Sequence, residues 1–466
     1  MIRMKNIVGY FCISTMFLLF SCATYYQQRI SFQRDFSSGN IEGAQNFLMH
    51  HKKATKKKDR LLYFLDRGVV EQMLGNYDSS NYYFEKAYIY NQDFKRNLAT
   101  DLAMMVSNPM VRPYKSEDYE VVMVHYYKAI NYLMLNKPDE ALIEVRRINI
   151  RLNEQSDIYE GKRYRYKEDA FAHLLMGIIY ESKYDINNAF IAYRNAYETY
   201  KEVYPAFGVQ APDQLKKDLL RTASQLGFNS ELEFYEKEFG MKAEKPMDST
   251  GTVVFFWLNG LSPVKGEISL NLTTTGGDGG AFVFTDQNEG VSVPIVFSNP
   301  DESSQISDLK FVRVAIPKFD RRDPLFHSAM IQSPNGSHQL ETAENISEIA
   351  IANLEDRLLK EFALTLGRIA LKQAAEAAAR EQDENLGAAV SFVNALTEKA
   401  DTRNWQTLPY SISYQRIPLK AGENELTFEA QGVNSIVDTA TFEYSLREGE
   451  TVFQTYHSLA STGLNY

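Results

Sequence analysis

A chain of 466 residues, 44% apolar and 24% charged, is long enough for several domains with sizeable cores and too apolar for disorder. Its net charge of −10 argues against the basic face that nucleic-acid binding needs, and two cysteines exclude a disulfide framework. The 29 Tyr and 28 Phe stand out as packing material.

Residues 1–22 read as an export signal. Arg3 and Lys5 precede an uncharged apolar stretch from Ile7 to Phe20, shorter than the roughly 18–20 residues of a permanent membrane span. Leu19-Phe20-Ser21-Cys22 resembles the lipobox of bacterial lipoproteins, with an aliphatic residue three before the cysteine and a small one directly before it. Phe20 departs from the small or β-branched residue usual there. The resemblance implies a signal peptide over 1–21, cleavage between Ser21 and Cys22, and lipidation of Cys22; the alternative is an uncleaved N-terminal anchor. No later run reaches spanning length. Ala23-Thr24 supply neither an inner-membrane retention aspartate nor an acidic export run. By the same resemblance this points to the cell envelope, at the periplasmic face of the outer membrane.

From 22 to 245 the apolar residues recur at helical spacing, in paired segments that share a pattern. Gly177, Tyr180, Asp185, Ala189, Tyr193 and Ala196 resemble a tetratricopeptide repeat, with small residues where two helices cross and an aromatic one turn on. The same register fits Gly68, Gly75, Tyr77, Ser80, Phe84 and Ala87, and again Ala129, Tyr132, Pro138, Ala141, Val145 and Ile148. A weaker copy is Phe32, Gly39, Asn40, Ala44 and Leu48. Loops near 95–120 and 154–168 interrupt the array; a generic helical bundle is the alternative. A basic run from His50 to Lys58 is either a solvated loop or a contact for anionic head groups. Tyr164, Arg165 and Tyr166 mix aromatic and cationic side chains between repeats, which suits either a partner contact or a connecting loop.

At 251 the pattern turns strand-like. Thr252 to Leu258 is a continuous apolar run rich in β-formers, and further runs follow at 267–272, 281–285, 291–297 and 309–316. The expected layout of 251–466 is strands over 252–342, a helix pair over 345–400, and strands over 409–457 that share a sheet with the first set. The fold class is therefore multidomain, α then α+β: a tetratricopeptide-like solenoid followed by a β-rich domain with an inserted long helix pair. Arg403 and Trp405 lie in the connection after the helices, as partner or sugar-ring anchors or as a structural lid.

The strings Tyr114–Tyr127, Asn259–Lys265, Ala400–Pro409 and Ile417–Gly422 resemble those of a family of uncharacterised bacterial lipoproteins. Its members join a tetratricopeptide-like N-terminal half to a β-rich C-terminal half. The resemblance covers nearly the whole mature chain and carries no established activity. In setting, members are similar to envelope lipoproteins that accompany activators of peptidoglycan synthases.

Motifs for chemistry are missing. The seven histidines form no His-x-x-x-His pair, Gly276–Gly280 lacks a Gly-Lys-Ser/Thr ending, and Ser262-Pro263-Val264-Lys265 places a proline where a catalytic Ser-x-x-Lys needs a helix start. No catalytic residue, metal site or cofactor is assigned. The sequence points to a non-catalytic, lipid-anchored protein-interaction scaffold in peptidoglycan or outer-membrane assembly. Its expected partners are the membrane through the N-terminal lipid, proteins on the helical repeats, and a cell-wall glycan as an open option, with no nucleic acid. The alternatives are a subunit of an envelope secretion or polysaccharide-export machine, and an envelope hydrolase.

Overall fold

The computed structural model describes residues 25–50, 58–97, 110, 112–158, 164–244, 250–276, 281–286, 291–296, 311–358, 362, 365, 369 and 399–462. Cys22 and Ser21, where the sequence leads one to expect lipidation and cleavage, lie outside the described residues, as does most of the basic run.

Among the described residues, five helix pairs make up the N-terminal half: α1 Tyr25–Ser37 with α2 Ile41–His50, α3 Arg60–Met73 with α4 Tyr77–Asn97, α5 Asp118–Met134 with α6 Pro138–Ile158, α7 Ala170–Ser182 with α8 Ile186–Glu202, and α9 Asp213–Leu226 with α10 Asn229–Phe239. Each turn carries one left-handed residue, Gly39, Gly75, Asn136, Tyr184 and Gly227 in order. The next N–H then reaches back to the last helical turn, from Asn40 to Asp35, Asn76 to Glu71, Lys137 to Tyr132, Asp185 to Tyr180 and Phe228 to Ala223. Such tight reversals fold each pair on itself. At the crossings there is no room for a larger residue: a Cβ on Gly68 would meet the Phe84 ring at 2.5 Å, and one on Gly177 the Tyr193 ring at 2.4 Å. The fifth pair was not among the repeats read from the sequence, because α9 has Thr222 and Ala223 where the others show a small residue followed by an aromatic.

The described residues of the C-terminal half hold two sheets. Strands β1 Thr250–Asn259, β2 Val264–Gly276, β3 Ala281–Asp286, β4 Val291–Val296, β5 Phe311–Asp320, β6 Phe326–Ser333, β7 Gly336–Asn345, β8 Ser411–Lys420, β9 Gly422–Gly432, β10 Val437–Leu446 and β11 Thr451–Ser458 are ordered β10-β9-β6-β7-β8-β1-β11 in the larger sheet and β4-β3-β2-β5 in the smaller. Strands from before and after the inserted helix thus share the larger sheet. That helix, α11, spans 346–358, and 362, 365 and 369 are also helical. The second helix expected up to Ala400 lies mostly outside the described residues. Its final residues are not helical, because the Ala400 N–H donates to Glu267 at 2.7 Å instead of to a helical carbonyl.

Strand β1 is buried on both faces. Val254, Phe256 and Leu258 join the core that runs through the helix pairs, and Phe171 meets Phe256 edge-on at 6.2 Å. Val253, Phe255 and Trp257 face a second core with Ile331, Phe428 and Leu446. The sheet coils so that its edge strands β10 and β11 approach each other, and side chains close the seam: Tyr456 and Ser458 donate to Asp438 at 2.8 and 2.7 Å.

Candidate partner interface

Segment 401–410 leaves the inserted region and runs, without regular structure, to the start of β8. Residues Arg403 to Pro409 are all buried. On one side they lie against α3, α4 and α5. Trp405 packs on Phe84 and Tyr127, each at 5.7 Å, and its backbone N–H donates to Glu120 at 2.6 Å. Thr407 donates to Asp66 at 3.0 Å, and Arg29 pairs the other Asp66 oxygen at 2.6 Å. On the other side the segment meets the β1–β2 connection: Ser262 N–H donates to Leu408 O at 2.7 Å, and the Arg322 guanidinium bridges Ser262 O and Gln406 O at 2.6 Å each.

The helix ends are tied to the same region. Glu117 caps α5 in a reciprocal capping box with Glu120, accepts from Lys265 at 2.6 Å and pairs with Arg357. Asp169 caps α7 through the Ala172 N–H at 2.7 Å and accepts from Tyr126 and Tyr166. The Tyr204 hydroxyl sits between Asp169 at 3.2 Å and Glu344 of β7 at 2.7 Å. Burial and the Asp169 charge push Glu344 well above the usual carboxylate range. The Tyr204 hydroxyl is the donor shared by the two carboxylates, and its bond to Glu344 opposes that rise in part.

A third cluster joins α7, α9 and β8. Arg221 forks onto Glu181 at 3.0 and 2.8 Å and touches Asp218 at 2.7 Å, while Arg416 reaches the same two acids at 2.9 and 3.1 Å. Burial alone would raise Glu181, but the two guanidinium charges hold it at about 2. Glu120 has no such pair: burial dominates and lifts it to about 7, despite its bonds from Tyr114 and Trp405.

The sequence candidates fall into these contacts. Arg403 has no exposed surface and pairs with Asp401 and Asp59 at 2.7 and 3.0 Å. Trp405 is equally enclosed. Tyr164 and Tyr166 are buried, Tyr164 against Gln155 and Asn353 and Tyr166 against Asp169. Arg165 clamps α11 through Asp356, Glu355 and Ala352 O. All five thus contact the chain itself, and Arg403 and Trp405 are enclosed by it. Ser262 donates to Trp405 O at 3.2 Å, and Lys265 is engaged with Glu117.

Sequence reasoning passed over Asp66, Glu120, Asp169, Glu181, Asp218 and Glu344. The signal was present in part: Asp66 follows Leu61–Leu65 on an apolar helix, and Glu120 sits within Tyr119–Val122. An acid on a buried stripe needs a partner from elsewhere in the chain.

Among the described residues no group of three or more His, Cys, Asp or Glu is placed to hold a metal, and no helix is long and apolar enough to cross a membrane. One surface cavity of about 470 Å³ is lined by Tyr197, Lys201, Gly208 and Lys216, and another of about 300 Å³ by Arg60, Phe64, Lys86 and Tyr90.

The buried contacts define a protein of paired helices closed by a β-sheet. No family model and no curated protein matches the chain. Among solved structures, "Crystal structure of MamA" is similar at 13% identity over 47% of this chain and 93% of that one, with a TM-score of 0.29. "Crystal structure of BtubC (BKLC) from P. vanneervenii" is similar at 12% identity over 48% and 84%, with a TM-score of 0.30. Likeness at this level fixes no function.

Proposed function

We propose that the chain is a non-catalytic scaffold of the cell envelope, tethered by lipid on Cys22 at the periplasmic face of the outer membrane. Its tetratricopeptide-like helix pairs hold protein partners in wall or outer-membrane assembly. The observation that carries this reading is the occupied inner groove. Segment 401–410 and the sheet cover the first helices and the inward sides of second helices at Phe84 and Tyr200, so partners meet the outward sides of the second helices, where Ile89, Ile143, Ile150 and Phe234 stand exposed. Acylation confines the molecule to a surface and raises the effective concentration of whatever it binds there. The anchor rests on Leu19-Phe20-Ser21-Cys22. In-cell crosslinking with identification of bound chains tests the scaffold: stable adducts that Ile143→Glu/Ile150→Glu removes support it. Absence of adducts, together with wall or ester cleavage by the purified protein, sinks it.

A further inference from the structure

Three first helices mark one end of the molecule. The residue before α3, Asp59, meets Arg403; that before α5, Glu117, meets Lys265; and that before α7, Asp169, meets Tyr204 beside Glu344. Arg403, Lys265 and Glu344 all lie next to the sheet end formed by Asn259 and Asn345, each of which pairs with Ser411. Arg29, one turn into α1, bonds Asp66, which also accepts from Thr407 of segment 401–410, so the start of α1 lies against this end. Tyr25 therefore sits at this end. Cys22 is three residues before it, a reach of at most about 10 Å.

The β9–β10 tip is at the same end. Gly432 pairs with Phe326, whose carbonyl accepts from the Asn259 side chain at 2.8 Å. Left-handed Asn434 and Ser435, at φ 56° and 61°, turn Val433, Ile436 and Val437 outward, and these are 44%, 43% and 53% exposed. From Ala430 to Val437 there is no charge, in a chain that carries a net −10. An acidic body is repelled by an anionic membrane surface, and an uncharged apolar tip is the part that can enter it. Three side chains are too few for a stable protein interface, which covers about 800 Å² on each partner.

We propose that the β9–β10 tip, Val433, Ile436 and Val437, is a second membrane contact that dips into the head-group region and fixes the orientation of the lipid-anchored body. This deepens the proposed anchoring and rests on it. The mature chain has no thiol beyond Cys22, so a single cysteine takes an environment-sensitive dye. Acylated protein carrying Val433→Cys, Ile436→Cys or Asn335→Cys is reconstituted in vesicles of phosphatidylethanolamine and phosphatidylglycerol. Asn335 is exposed in the β6–β7 turn at the opposite end of the sheet and serves as control. The expected result is blue-shifted emission, and at least twofold stronger quenching by a lipid-borne nitroxide, at 433 and 436 but not at 335. Equal, solvent-like emission at all three sites on vesicle-bound protein overturns the tip contact and leaves the anchor standing. Shielding of the tip in native membranes but not in protein-free vesicles assigns it to a protein partner and also overturns the proposal. Retention of Cys22→Ala in the membrane fraction of cells overturns the anchoring, and the tip contact with it.

Discussion

The backbone N–H of Trp405 donates to the Glu120 carboxylate at 2.6 Å, across 285 residues of sequence. Through this contact the segment before β8 completes the core of α5, with Tyr114 and the capping box on the other carboxylate oxygen. The helical and β-rich halves are joined here by buried polar bonds as well as by apolar area. Truncating Trp405 leaves a hole between Phe84 and Tyr127. Trp405→Ala is expected to destabilise by about 3–5 kcal/mol, read as a lower denaturation midpoint. A midpoint within 1 kcal/mol of the parent would show that the indole is not part of the core.

The Glu120 titration gives a pH dependence with a definite sign. Its pKa of about 7 in the folded chain exceeds the ordinary 4.5, so the folded state holds a proton that the unfolded state has released. Stability therefore falls as pH rises from 4.5 to 7, by roughly 3 kcal/mol at most. Glu344, also raised, acts in the same direction. Glu181, held at about 2, acts oppositely: its contribution is complete above 4.5 and is lost as pH falls towards 2. A stability maximum at mildly acidic pH follows. Denaturation across this range checks it, and Glu120→Gln should flatten the alkaline arm whatever its absolute stability.

The cluster of two arginines and two acids predicts an unequal response to its removal. Arg416→Met leaves Arg221 as the remaining guanidinium on Glu181 and Asp218, at a cost of about 3–5 kcal/mol. Replacing Arg416, Glu181, Asp218 and Arg221 together by apolar residues of similar volume should cost less than that single change. Thermal unfolding of both variants decides; a single change that costs under 1 kcal/mol would mean that the acids are solvated.

Gly177→Ala places a methyl against the Tyr193 ring and is expected to cost about 1–3 kcal/mol. Shortening the facing residue, in Gly177→Ala/Tyr193→Leu, should recover part of it by relieving the overlap. Calorimetry of the two variants measures the coupling.

These residues also show how far the sequence was legible. Gly68, Gly177, Ala141 and Ala189 announce helix crossings because the requirement for a small residue is local, and Thr252–Leu258 announces a strand because both of its faces are apolar. The β6–β7 hairpin was less visible, since Ser337, His338, Gln339 and Glu341 alternate weakly and are ordered by their neighbours in the sheet. The filling of the helical groove was not legible at all. It depends on Arg403 meeting Asp59 and Trp405 meeting Glu120, contacts whose partners are hundreds of positions apart. Tyr184 shows the same limit: a left-handed tyrosine looks like a poor turn residue until its hydroxyl is seen to donate to Gly449 O at 2.7 Å, in the β10–β11 turn.

Site-specific photo-crosslinking in cells at Ile143, with Asn335 as control, tests the scaffold most directly. The scaffold predicts discrete protein adducts from Ile143, which is 51% exposed on the outer helix α6, and their loss when Cys22→Ala removes the protein from the membrane. No adduct at Ile143 in membrane-bound protein would contradict it.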